Sequence, residues 1–139
     1  MVERKYVDVN VFVYWLSGSG KLLEKAKKWI KAIEDGARGE FLTSALTIYE
    51  LIIIIAGLTG KTLKDTEFIK DVLEALLGLS KLRIVPLSKE VFRTASEAMT
   101  RFSLDFEDAI HYATAIKHGA TKIISNDRDF EKTDIQRIF

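Results

Sequence analysis

Apolar residues recur along this chain with two alternating periods. Leu22, Leu23, Ala26, Ile30 and Ile33 predict an amphipathic helix over 21–36, with Gly36 as its C-cap. The same helical period predicts helices over 66–79, 89–102 and 105–119, the last closed by Gly119. Short apolar stretches read as strands at 5–9 (KYVDV), 40–44 (EFLTS), 82–87 (LRIVPL) and 121–125 (TKIIS). Segment 11–16 (VFVYWL) stays open between helix and strand. In 45–58 (ALTIYELIIIIAGL), four consecutive isoleucines favour a strand by propensity. Thr47 and Glu50 stand at capping-box spacing, however, and Gly57 and Gly60 suit a helix end, so a helix is the better reading. Such a helix is apolar nearly all round at Ile52–Ile55, so one side is expected to meet another chain, either a second copy or a smaller partner. Strands alternating with helices predict an α/β fold, a parallel sheet with helices on its faces.

Length and composition narrow the class. The chain of 139 residues reads as a single domain, 1–139, large enough for a real core. Its 21 basic and 20 acidic residues nearly cancel, so any affinity for nucleic acid must be local rather than global. There are no cysteines, which excludes a disulfide framework, a zinc–thiolate site and a thiol nucleophile. The start, MVERKYVDV, lacks a signal-peptide core, and the most apolar run, 51–58, is too short to span a bilayer. A cytoplasmic location with no membrane association is expected. No phosphate-binding loop, dinucleotide fingerprint or Gly-x-Ser-x-Gly elbow is present.

One stretch departs from ordinary turn chemistry. In IISNDRDF (123–130), a core strand stops at Ser125 and carboxylates follow. Asp8 ends the first strand, Glu50 lies in the first turns of the helix after EFLTS, Asp108 near the start of the helix at 105–119, and Asp127 just past the last strand. Strand C-termini and the following helix N-termini share one edge of a parallel sheet, so these four carboxylates converge. Each also has a local explanation: Asp8 as loop or N-cap residue, Glu50 in a capping box with Thr47, Asp108 at N3 of a helix capped by Asp105, Asp127 as turn residue. Four accidents on one edge are less economical than a site. Clustered carboxylates repel one another unless a cation fills the cluster. Hard oxygen donors without thiols select Mg²⁺ or Mn²⁺, and the chemistry that follows is metal-assisted phosphodiester hydrolysis.

The stretches YVDVNVFVYWL, FLTSALTIYEL and LDFEDAIHYATAIKHGATKIISNDRDF resemble the PIN domain, most closely the VapC-type toxins of toxin–antitoxin pairs. With length and element order, the resemblance spans essentially the whole chain. It implies a three-layer α/β/α sandwich with a central, mostly parallel sheet, and a Mg²⁺- or Mn²⁺-dependent endoribonuclease. It implies an RNA substrate and a small antitoxin partner, and a homodimer is expected. The family's acidic quartet carries onto Asp8, Glu50, Asp108 and Asp127, and its supporting polar positions onto Asn10, Thr43 or Ser44, and Ser125. One departure is Val9, where a small hydroxyl residue often stands. Asp129 competes with Asp127 for the metal; Asp127 is preferred as nearer the strand end. Asn126 reads as a turn residue, with Arg128 and Asp129 around the site.

Other residues carry weaker signals. His111 could reach the rim of the site but reads more simply as a packing residue, and His118 as a complement to the helix C-terminus. Lys21, Lys25 and Lys28 share a helix face, with Lys27 and Lys31 nearby, and Lys61 and Lys64 follow the isoleucine helix. These are a solvated surface or contacts to an RNA backbone. Trp15, Trp29, Tyr14 and Tyr49 read as core or interface aromatics, one of which could stack a base. Two rival functions remain: a phosphotransferase using Asp8 as covalent nucleophile, weakened because Asn10 stands where a second aspartate would, and a non-catalytic PIN-like domain that binds RNA or a partner.

Overall fold

The computed structural model describes residues 2–139. The chain enters as β1 (Arg4–Val7), and Asp8 at once caps α1 (Val9–Ser17) by accepting a bond from the Val9 amide. This resolves the open segment at 11–16 as helix, with Val11 and Phe12 on its buried face. α2 (Gly20–Asp35) leads to β2 (Phe41–Ser44), α3 (Ala45–Thr59), α4 (Thr66–Leu77) and β3 (Arg83–Val85). The hairpin of α5 (Lys89–Phe102) and α6 (Phe106–Lys117) returns the chain to β4 (Ala120–Ile124), a 3₁₀ turn (Arg128–Lys132) and β5 (Gln136–Ile138).

Every strand pairing is parallel, in the order β3-β2-β1-β4-β5. The chain steps outward from β1 to β2 and β3, then crosses back to place β4 on the other side of β1. Strand order therefore reverses between β1 and β4, the point where open α/β sheets form their ligand crevice. Register is tight there: Tyr6 pairs with Ile123 and Val7 with Ile124, and the Asp8 amide donates to the Ile124 carbonyl at 3.0 Å.

Alternation sorts the strand residues into two cores. Tyr6, Leu42, Val85 and Ile123 face α5 and α6. Val7, Phe41 and Ile124 face the layer that holds α1, α2, α3 and α4. This is the expected three-layer α/β/α sandwich, with a sheet that is wholly parallel. By period two, Asp8 and Ser125 continue the face of Tyr6 and Ile123, toward α6.

Segment 45–58 is helical despite its isoleucines. Ile52 and Ile55 are buried while Ile53 and Ile54 are exposed, so burial of one face outweighs strand propensity. Gly60 ends the helix at φ 70°, a left-handed conformation that glycine adopts without strain; Gly57 stays inside the helix. The expected Thr47–Glu50 capping box does not form. Ser44 is the N-cap and its side chain makes no capping bond. Thr43 Oγ1 lies 2.7 Å from both the Val7 carbonyl and Thr47 Oγ1, which ties β2 to β1 and α3. His118 does not serve α6 as a cation either. Burial and the charges of Arg83, Lys117 and Arg4 push its imidazole below the ordinary value, and Arg4 Nη1 donates to the His118 carbonyl instead. No helix among the described residues is long and apolar enough to cross a membrane.

Candidate active site

Asp8 sits at the switch point, 4% exposed and held on all sides. Its Oδ1 accepts from the Val9 amide (2.8 Å), and its Oδ2 from Ser125 Oγ (2.6 Å) and Asn10 Nδ2 (3.1 Å). Asn10 Nδ2 also lies 3.1 Å from Ser125 Oγ, and the Asp127 amide donates to Ser125 Oγ at 3.0 Å. The expected supporting residues Asn10 and Ser125 thus join the ends of β1 and β4 in one network. Burial pushes the Asp8 carboxyl up, and the nearby His111, Ser125 and Val9 groups only partly offset it.

His111 is the residue that sequence reasoning undervalued. It is 1% exposed, so it packs, but it also bridges two of the four carboxylates. Its Nε2 lies 2.6 Å from Glu50 Oε1 and 3.6 Å from Asp8 Oδ1, and its Nδ1 lies 2.6 Å from the Tyr6 hydroxyl. Burial alone would lower the imidazole, but Tyr6, Glu50 and Asp8 together raise it well above its ordinary value. When protonated, the ring donates from both nitrogens. Burial in turn works to raise Glu50, and the hydrogen bond and charge of His111 outweigh it, leaving Glu50 below the usual carboxylate value. The signal was spacing: His111 stands three residues after Asp108, on the same helix face.

Glu107 was also missed. It hydrogen-bonds to Glu50, and this contact, with partial burial and the charges of Glu50 and Asp105, pushes its carboxyl up to about 7. Asp105 caps α6 by accepting from the Asp108 amide at 2.9 Å, which presents Asp108 from the first turn. Burial and the charges of Asp127, Asp105 and Asp8 push Asp108 up to about 7.

Asp108, Asp127 and Asp129 form the open part of the site, each offering a carboxylate oxygen within 4.8 Å of the others. The structure therefore brings both Asp127 and Asp129 to Asp108. Asp127 also caps the 3₁₀ turn, its Oδ1 accepting from the Asp129 amide at 2.9 Å. Phe130, fully buried, anchors that turn in the core. Asn126 is more than a turn residue: its amide donates to Asn10 Oδ1 (3.3 Å) and its Nδ2 to the Tyr14 hydroxyl (3.1 Å). Arg128 is exposed on the turn.

The donor set suits a hard divalent cation. It is all oxygen at the open face, and the spacing matches oxygens around one ion with metal–oxygen distances of about 2.0–2.6 Å. Asp108 is raised by burial and by the charges of Asp127, Asp105 and Asp8, and positive charge would relieve that repulsion. Ser44 is fully buried at the end of β2. Its Oγ is the one buried side-chain polar atom without a hydrogen-bond partner among the described residues. It ends β2 on the face of Leu42, the face that α6 covers. Between the expected alternatives Thr43 and Ser44, Thr43 is committed to the scaffold and Ser44 is free.

The PIN domain model matches residues 5–136. The chain belongs to the PIN domain family. It is 27% identical over 145 aligned residues to Ribonuclease VapC2 of Methanocaldococcus jannaschii, covering 99% of this chain and 95% of that relative. Among solved structures it is similar to VapC20 of Mycobacterium tuberculosis, described as a sarcin-ricin loop cleaving toxin, with a TM-score of 0.72 at 17% identity over 91% of this chain and 92% of that one. A toxin–antitoxin complex from Klebsiella pneumoniae gives a TM-score of 0.66 at 21% identity, covering 91% of this chain and 89% of that one. These structures share the PIN fold with this chain, whose acidic edge lies at the reversal of its sheet.

Proposed function

We propose that this PIN domain is a divalent-metal-dependent endoribonuclease, the toxin of a VapBC-type toxin–antitoxin pair. The observation that carries the reading is the convergence of Asp8, Glu50, Asp108, Asp127 and Asp129 on one sheet edge, with the open carboxylates spaced for one hard cation. Asp8, Asp108 and Asp127, with Asp129 beside them, would hold Mg²⁺ or Mn²⁺; Glu50, expected as the fourth ligand, bonds His111 Nε2 at 2.6 Å and would instead set the charge behind them. A bound cation there supplies charge neutralisation at the scissile phosphate and lowers the pKa of a ligated water.

The chain's own groups do the positioning. Ser125, Asn10 and the Val9 amide fix both oxygens of Asp8, so its carboxylate meets the substrate in one orientation. The same bonds argue against Asp8 as a free covalent nucleophile. His111 keeps Glu50 ionised at the back of the site. Glu107 is pushed up to about 7 by Glu50 beside it, which places its titration near neutral pH.

The test is cleavage of single-stranded RNA titrated with Mg²⁺ and Mn²⁺. Asp8→Asn keeps the side-chain shape and removes a ligand charge, so activity should fall by at least about a hundredfold, the scale of losing one electrostatic group in a preorganised site. The far-ultraviolet circular dichroism should stay unchanged. Full cleavage in EDTA, or by Asp8→Asn, would overturn the mechanism.

A further inference from the structure

One chain of contacts leaves the acidic site over α1 toward α2. Asn10 ties Asp8 to the Asn126 amide, and Asn126 Nδ2 reaches the Tyr14 hydroxyl at 3.1 Å. The Tyr14 ring meets the Phe139 ring edge-on, with centroids 5.9 Å apart. Lys25 Nζ lies over the Phe139 ring, 5.0 Å from its centroid. Beyond it, Lys21, Lys25 and Lys28 stand one helical turn apart on α2 and line a shallow surface cavity.

Two of the α2 lysines are paired, and Glu24 of one pair lines the same cavity as Lys21, Lys25 and Lys28. Lys27 pairs with Glu24 (3.7 Å) and Lys31 with Asp35 (3.0 Å). Lys21, Lys25 and Lys28 have no carboxylate within ion-pair distance among the described residues, and all three are exposed. Unpaired ammonium groups beside half-buried aromatic rings form the pattern that binds single-stranded nucleic acid: cations follow the phosphates while bases stack on rings. Exposed ammonium groups around ring surfaces complement a phosphate backbone and its bases.

We propose that this α1–α2 surface carries the single-stranded RNA flanking the scissile phosphate, with Phe139 and Tyr14 as the stacking surface and Lys21, Lys25 and Lys28 as phosphate contacts. The proposal rests on the ribonuclease reading and adds the direction in which the strand runs. The distance-linked path from Asp8 to Lys25 is the argument for continuity with the site.

The experiment measures binding of a fluorescent single-stranded oligoribonucleotide by anisotropy in EDTA, from 50 to 200 mM salt, and cleavage of the same oligonucleotide in Mn²⁺. Removing three phosphate contacts in the triple variant Lys21→Ala, Lys25→Ala, Lys28→Ala should lower the slope of log affinity against log salt by about 2, because each single-strand contact contributes about 0.7. Its loss in cleavage should fall on KM. Lys27→Ala with Lys31→Ala, the paired lysines of the same helix, should leave the slope within error of the unsubstituted protein. Phe139→Ala should weaken binding roughly tenfold, and Phe139→Tyr should restore it. Equal slopes in all variants, equal effects of the two lysine sets, or RNA affinity too weak to give a slope would each overturn the path. So would a triple variant that loses only a protein partner or self-association. Cleavage in Mn²⁺ separates the two levels: an unsubstituted protein that cuts RNA while the slopes stay equal keeps the ribonuclease reading and discards the path, whereas no cleavage at all discards the reading itself.

Discussion

Three of the four carboxylates named from sequence hold positions at helix N-termini. Asp8 caps α1, Asp127 caps the 3₁₀ turn, and Asp108 stands at N3 behind the Asp105 cap. The local explanations hold for these three, and a cap also fixes a carboxylate at a helix N-terminus, the edge on which the proposed site rests. Glu50 differs, because its capping-box partner Thr47 turns to Thr43 and Glu50 turns to His111. His111 and Glu107 were not legible because their roles come from packing α6 against α3 and β1. A histidine on an apolar face looks the same in sequence whether it meets Leu or Glu. The preference for Asp127 over Asp129 rested on distance from the strand end, yet both carboxylates reach Asp108. Asp127→Asn and Asp129→Asn should each weaken Mn²⁺ binding, and Asp127→Asn more, since that carboxylate also orders the turn through the Asp129 amide. Isothermal titration calorimetry on the two variants checks this. An unchanged affinity in Asp129→Asn would make Asp129 a neighbour of the cation and not a ligand.

At the scale of elements, the strongly periodic helices were legible to within one or two residues at most ends. What the sequence hid was short: β5 spans three residues at the sheet edge, too few to show alternation, and the 3₁₀ turn has no period of its own. The helix of isoleucines is the informative case. Its inner face, Leu51, Ile52 and Ile55, supplies core, while Tyr49 (60% exposed), Ile53 (41%) and Leu58 (63%) face out. A second apolar groove, lined by Leu63, Ile69, Leu73 and Leu77, lies at α4. Exposed apolar side chains of this kind are expected to meet another chain. The double variant Ile53→Glu, Leu58→Glu should lower the mass seen by light scattering at micromolar concentration from a dimer or hetero-complex to a single chain. Both positions are exposed, so its melting midpoint should stay within a few degrees. A mass already monomeric without substitution, and no complex with a co-encoded small protein, would remove the interface.

For the molecule as a whole, the acidic edge opposes folding whenever no cation fills it, and the sign of its pH dependence follows. Asp108 and Glu107 are pushed up to about 7 in the fold, and Asp8 and His111 are also raised. A group whose folded pKa lies above its unfolded value binds its proton more tightly when folded. Its stabilisation is fully present below the unfolded pKa and is lost as pH rises through the folded one. For Asp108 and Glu107 that window runs from their ordinary values of 3.8 and 4.5 up to about 7. Glu50 has the opposite sign: its folded value is lowered, so its contribution is lost only as pH falls through the acid end of the range. In EDTA the melting midpoint should therefore rise by several degrees between pH 8 and pH 5, against the usual acid destabilisation, and fall again at lower pH. Saturating Mn²⁺ at pH 8 should replace protons as the source of positive charge. A ligand at a hundred times its dissociation constant adds about 2.7 kcal/mol, and each kcal/mol moves the midpoint of a domain of this size by roughly 2–8 °C. Mn²⁺ should thus raise the midpoint at pH 8 and flatten its dependence between pH 8 and 5, because protons and cation compete for the same carboxylates. Mg²⁺ should do less without RNA, since it dehydrates reluctantly and takes a substrate phosphate as a ligand. In Asp108→Asn the EDTA profile should itself flatten, with the repulsion removed. A midpoint that falls steadily from pH 8 to pH 5 in EDTA, or that ignores Mn²⁺ at pH 8, would mean that the carboxylates do not form one electrostatic unit.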